Sequence, residues 1–235
     1  MRLLSLLLIS LFGITVVSGF IVGGYGGGRS YSSSSSSEEH GHGHRPPRPR
    51  PPHRPRPPSP PPQRDPECED GWMSFNRTAG RWCVKVFYGG GLAQYNAEEL
   101  CQGQGATLTG LQTINERVQL ANAGRLISNA NGGGLAEIWL GATRRAGCNR
   151  RTDCTPLNTF QWTDGHTTGT AGMFWPGPEP NSVWFTNWGN QNCLELQVSA
   201  ADGVAARHGY PHASLDDEHC QKDQARLYAC GKLAK

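Results

Sequence analysis

Hydrophobic and polar positions divide the chain into three regimes. Leu3 to about Val17 is almost continuously apolar, residues 20–66 show no apolar period, and from about residue 67 short apolar pieces recur between polar turns. In the third regime Trp72-Met73-Ser74-Phe75 and Arg81-Trp82-Cys83-Val84-Lys85-Val86 read as two strands around the turn Asn76-Arg77-Thr78-Ala79-Gly80. Asn96 is placed to cap a first helix running to about Gln104, with Glu98 and Glu99 in its first turn and Gly105 beyond its end. Thr113 or Asn115 can cap a second helix to about Ser128, on which Ile114, Val118 and Ala121 recur at helical spacing. After residue 135 the pattern turns to strand-like pieces: Ile138-Trp139-Leu140-Gly141, Phe160-Gln161-Trp162, Cys193-Leu194-Glu195-Leu196 and Ala225–Cys230. Two early helices followed by strands predict an α+β domain. The long Gly/Asn/Pro-rich stretches between the strands are of the kind that carry function.

Composition adds the compartment. The apolar run behind Met1-Arg2 is interrupted by Gly13, Thr15, Ser18 and Gly19, and reads as a cleaved secretory signal peptide over residues 1–19. No other stretch is long and apolar enough to cross a bilayer, so no membrane span is expected after cleavage and the product is expected to be extracellular. An even number of cysteines, 8 in all, in an exported chain argues for disulfides. They show no CxxC spacing, which argues against zinc. Asn76-Arg77-Thr78 is a glycosylation sequon.

All 8 cysteines and all 7 tryptophans lie at or after Cys68, which sets the start of a folded domain at about residue 67, running to 235. Residues 20–44 are Gly/Ser/His-rich and read as a disordered linker. Its His40, His42 and His44 read as a solvated tract rather than a copper or zinc site. Residues 45–66 form a Pro/Arg-rich spacer, whose residues 45–62 hold 11 Pro and 5 Arg. As polyproline II they would span ~55 Å, with a basic surface able to hold acidic glycans or matrix. The net charge of +3 belongs to this tail, since residues 67–235 carry 14 Lys and Arg against 16 Asp and Glu. No nucleic-acid partner is expected.

The candidate chemistry sits late in the domain. Glu179-Pro180-Asn181 offers a carboxylate and an amide, and Asp216-Asp217 a second acidic pair between Cys193 and Cys220. Hard oxygen donors held by cross-linked loops suit calcium. The turn residues Pro180 and Asn181 and a solvated acidic turn at Asp216-Asp217-Glu218 are the plainer alternative.

These residues carry a resemblance to the C-type lectin-like domain family, in its long, secreted, Glu-Pro-Asn form. It covers about residues 67–234. Ile138-Trp139-Leu140-Gly141 resembles the family's core strand with its order altered. Phe160-x-Trp162-x-Asp164-Gly165 resembles the strand and turn before the long loop, and Trp175 precedes Glu179-Pro180-Asn181 as a tryptophan often does there. Leu215-Asp216-Asp217-Glu218-His219-Cys220 aligns with the "WND" motif and its cysteine. The resemblance implies two helices, small antiparallel sheets and a long calcium- and sugar-binding loop, stapled by disulfides. Eight cysteines alone allow 105 pairings. The family pattern implies Cys101–Cys230, Cys193–Cys220 and Cys68–Cys83, which leaves Cys148 and Cys154 to close an inserted loop.

Carried over residue by residue, the resemblance implies a calcium ion held by Glu179, Asn181, Gln191, Asp216 and Asp217. Glu179, Asn181, Gln191 and Asp216 would also contact sugar hydroxyls. Gln191 stands where the family usually has Glu, with Asn190 the near alternative, and Asp216 where it has Asn. The two departures cancel in charge, so three carboxylates remain, and acceptors and donors are exchanged rather than lost. Glu-Pro-Asn implies mannose- or N-acetylglucosamine-type glycans or glycoproteins as partners, on microbes or matrix, with a cis Pro180. An auxiliary calcium site is not expected, because Ser182 and Asn192 stand where it needs acids. Trp184 and Trp188 are expected to pack under the loop, the alternative being that one lies against a sugar ring. His208, His212 and His219 are expected to be bystanders, although His219 beside Cys220 can make the site pH-sensitive.

The expected function is that of a secreted calcium-dependent lectin. A calcium-independent protein-binding or matrix scaffold on the same fold is the alternative. Catalysis is not expected: Glu179 with Asp216 or Asp217 mimics an acid/base pair, but a bound ion would keep both ionised, and no nucleophile elbow or HExxH helix is present.

Overall fold

The computed structural model of the chain describes residues 65–235. The expected signal peptide, the linker with its alternating histidines and nearly all of the proline-rich spacer lie outside the described residues. Within them the fold is α+β. Strands β1 (Met73–Arg77) and β2 (Gly80–Tyr88) form a hairpin, with Phe75 opposite Trp82. Helix α1 (Gln94–Gln102), the short β3 (Thr107–Leu108) and helix α2 (Ile114–Ala130) follow, then β4 (Ala136–Leu140) and the β5 (Ala142–Arg144)–β6 (Phe160–Trp162) pair. After a long loop come the small β7 (Trp184–Phe185)–β8 (Gly189–Asn190) hairpin, then β9 (Cys193–Val198), β10 (Leu215–Glu218) and β11 (Leu227–Leu233).

The main sheet has seven strands in the order β1-β2-β11-β4-β9-β10, with β3 also on β11. One pair, β4 with β11, is parallel. The apolar runs of β2, β4, β9 and β11 supply most of the core, where Val84, Ile138, Leu194, Leu196 and Leu227 meet Leu120 and Ala121 of α2. Gly124 lets that helix approach the sheet, since a Cβ there would sit 2.6 Å from Ile138 Cδ1. Four disulfides join Cys68–Cys83, Cys101–Cys230, Cys148–Cys154 and Cys193–Cys220. The third closes an exposed loop in which Arg150 N–H donates to Asp153 Oδ2 at 2.8 Å.

Both helices depart from their predicted details. Helix α1 starts two residues before Asn96, with Ala93 at its cap and no side-chain cap. A tertiary contact fixes the start: Gln94 N–H donates to the Cys220 carbonyl at 2.9 Å. Glu98 ties the helix to β3, accepting from Leu108 N–H at 2.7 Å and from Thr107 Oγ1 at 2.8 Å. In α2 Thr113 is the cap, accepting from Glu116 N–H at 3.1 Å. Its predicted apolar stripe is rotated, however. Ile114 and Val118 are 61% and 39% exposed, and the buried side runs through Arg117, Leu120, Ala121, Gly124 and Ser128. Arg117 can lie on that side because its guanidinium donates to the Ala213 carbonyl and lies 4.9 Å over the Phe174 ring.

Candidate functional site

The acidic end of β10 and the loop before β7 form one cleft. Pairing of β9 with β10 sets Asp216 opposite Glu195 and Asp217 opposite Leu194. The loop brings up Glu179, whose bond to Pro180 is cis. Glu179, Asp216 and Asp217 are all buried, and each offers a carboxylate oxygen within 4.8 Å of the others. Asn181 locks the loop onto them. Its N–H donates to Glu179 Oε2 at 2.9 Å and to Asp217 Oδ1 at 2.8 Å, and its Nδ2 donates to Glu179 Oε1 at 2.7 Å. Gln191 Oε1 accepts from Val183 N–H at 3.0 Å, and Gln191 Nε2 reaches Glu218 Oε1 at 3.4 Å.

The cleft has a volume of about 200 Å³, and Glu179, Asn181, Gln191 and Asp216 line it together with Tyr210 and Glu218. Asp217 lies beneath, fully buried. Gln191, not Asn190, faces the cleft; Asn190 is taken up in β8, opposite Trp184. Burial, then the charge of Glu179, pushes Asp216 up to about 8. Burial and a hydrogen bond with Glu179 push Asp217 up to about 7, against the pull of Arg144. Three crowded carboxylates, of which Asp216 and Asp217 resist ionisation, are electrostatically suited to a cation. The donor set also fits one: hard carboxylate and amide oxygens, several per cleft, are calcium ligands.

Two of the side chains that were not foreseen hold the carboxylates directly. Arg144 forms a buried ion pair with Asp217. Tyr210 donates its hydroxyl to Glu179 Oε1, and burial raises its own ionisation well above the usual phenol range. No sequence signal marks Tyr210, which lies in a loop. Arg144 carries a weak one, a charge closing the buried strand Ala142–Arg144.

Trp184 and Trp188 do not pack under the loop. They are 60% and 41% exposed and stand with Phe185, 51% exposed, on the β7–β8 hairpin. Among the described residues the hairpin's two strands pair only with each other. Beneath it His219 is fully buried, 5.2 Å from the Phe185 ring and 5.3 Å from Trp188. His208 lines the cleft, and His212 Nδ1 accepts from Ser199 N–H at 3.1 Å. Asn76 is exposed on β1. Among the described residues no helix is long and apolar enough to cross a membrane.

The model of a family described as "C-type lectin domain-containing protein 141/158" matches residues 71–232. The C-type lectin domain-containing protein 158 of Caenorhabditis elegans is 28% identical over 151 residues, 57% of this chain and 71% of that protein. Among solved structures, the cow CD23 C-type carbohydrate-recognition domain, determined in the presence of a GlcNAc2Man3 oligosaccharide, is 16% identical. It aligns with 72% of this chain and 98% of its own at a TM-score of 0.45. A calcium-independent type II antifreeze protein is 18% identical over 73% of this chain and 98% of its own, also at 0.45.

Proposed function

The chain belongs to the C-type lectin domain-containing protein 141/158 family, and from that premise we propose that it is a secreted, calcium-dependent glycan-binding protein. One observation carries the reading: the carboxylates of Glu179, Asp216 and Asp217 converge within 4.8 Å at a cleft that Asn181 and Gln191 also line. Calcium bound there would offer open coordination positions to adjacent sugar hydroxyls.

The protein's part is to hold the hydroxyls' partners. Glu179 and Asp216 accept from them. Asn181 and Gln191 each commit one amide N–H to Glu179 and Glu218, and each amide keeps a second N–H to donate. Mannose- or N-acetylglucosamine-type ligands, with adjacent equatorial hydroxyls, are the proposed class. The ligand is bound and not transformed.

Calorimetry of the full chain tests this. Calcium should bind with a Kd of ~0.1–1 mM, the range of extracellular modules. Asp216→Ala, which leaves no side-chain oxygen to ligate, should remove the heat, and retention on mannose or N-acetylglucosamine resin should be lost in EDTA. Asp216 is the better target than Asp217, because removing Asp217 would strand a buried guanidinium. No calcium heat from a folded wild-type protein would sink the reading. A calcium-independent scaffold is the second reading, favoured by the counter-charge that Arg144 already gives Asp217. EDTA-resistant ligand binding would select it.

A further inference from the structure

Arg144 ends β5 with its guanidinium enclosed by polar oxygens. All five of its side-chain N–H groups are used. Nε and Nη2 donate to the Gln191 carbonyl at 2.8 and 2.6 Å. Nη1 donates to Ser182 Oγ at 2.8 Å and to the Cys148 carbonyl at 3.1 Å. Nη2 also donates to the Asp217 carboxylate. The Phe160 ring lies 4.7 Å away on its face, and the Arg144 backbone N–H donates to the Asn192 carbonyl at 3.0 Å.

These acceptors belong to four separate segments: the Cys148–Cys154 loop, the residue after Glu179-Pro180-Asn181, the entry to β9, and β10. Gathering oxygens from distant segments is what a loop-bound cation does. A planar five-donor fork performs it with fixed directions, which an ammonium cannot. Ser182 and Asn192, the positions where an auxiliary calcium would need acids, both touch Arg144, one by its hydroxyl and the other by its carbonyl.

We propose that Arg144 is a built-in cation that stands in for a second metal ion, a positioning residue that holds Ser182, Gln191 and Asp217 so that the cleft keeps its shape without calcium. Its effect on calcium affinity rests on the calcium reading above; its effect on loop order does not. The charges match as well. Three carboxylates and one guanidinium leave two negative charges, which a single divalent ion neutralises.

Hydrogen exchange by mass spectrometry on the full chain decides the matter. In EDTA, wild-type residues 179–191 should be nearly as protected as in calcium. Arg144→Met should speed exchange of that segment in EDTA while β4 and α2 keep their protection, and should weaken calcium binding by about tenfold or more, the usual cost of losing a group that orients metal ligands. Arg144→Lys should fall between, since it restores the charge but not the fork. Wild-type exchange in EDTA as fast as in an unstructured loop would overturn the proposal without recourse to any variant, as would protection unchanged in Arg144→Lys and Arg144→Met. If the wild-type segment is protected in EDTA, the variants loosen it, and no calcium binds, the Arg144 staple stands and the calcium reading falls.

Discussion

Asp216 and Asp217 are neighbours in sequence with opposite relations to the fold. Asp217 is paired to a buried arginine, so Asp217→Asn should lower stability by about 3 kcal/mol or more, read as a drop in melting temperature in EDTA. Asp216 has a folded pKa raised to about 8, above its unfolded value. Near neutral pH its ionisation therefore opposes folding, and the penalty grows as pH rises through that range. Asp216→Asn removes the ionisable group and should leave the melting temperature in EDTA unchanged or higher. The exposed aromatics give a second contrast. Trp184→Ala or Trp188→Ala should weaken glycan binding about threefold to tenfold if the ring faces a sugar, with the calcium Kd unaltered. Much of this cleft was legible as residue types, because the carboxylates and amides that meet there stand close to Cys193 and Cys220 in the sequence. What holds those residues was not legible. Tyr210 and Arg144 reach Glu179 and Asp217 from 31 and 73 positions away, and no local pattern encodes such a meeting.

Elements were legible where the local signal and the tertiary one agreed. Thr113 caps α2 because its hydroxyl serves the first turn, a purely local bond. The α1 start was misplaced because its backbone is fixed by Cys220, far along the chain. The buried side of α2 was misjudged because an arginine can be buried when its guanidinium reaches a carbonyl and an aromatic face, as Arg117 does with Ala213 and Phe174. Strand β9 alternates as a strand should, yet Glu195, on its polar face, is as buried as its leucines, with one carboxylate oxygen unpartnered. Burial, then Glu137, holds that carboxyl well above the usual range. Hydropathy alternation reports which residues share a face and not whether that face is wet. Between β4 and β5 the packing leaves no latitude. A Cβ at Gly141 would meet the Leu108 carbonyl oxygen at 2.0 Å. Gly141→Ala should therefore cost about 3 kcal/mol or more, as overpacking against backbone does, and a denaturant melt would show it.

At the scale of the molecule, order comes from the sheet and its cross-links together. Strand β11 joins β2, β3 and β4, and Cys101–Cys230 ties the same strand to α1. The count of cysteines was plain from the start, but their partners depend on how the strands are ordered, which hydropathy does not state. If calcium binds the native cleft alone, the whole fold feels it. Calcium at ten times its Kd should add about 1.4 kcal/mol to stability, a rise of a few degrees in melting temperature that EDTA reverses.

The loop closed by Cys148–Cys154 exposes two consecutive arginines, Arg150 and Arg151. A trypsin-like protease that cuts between or after them severs the chain without separating it, because both that bridge and Cys101–Cys230 span the cut. On a non-reducing gel the nicked molecule would run as one species, and only reduction would release the halves. A population of this protein could therefore be extensively nicked and still pass for intact.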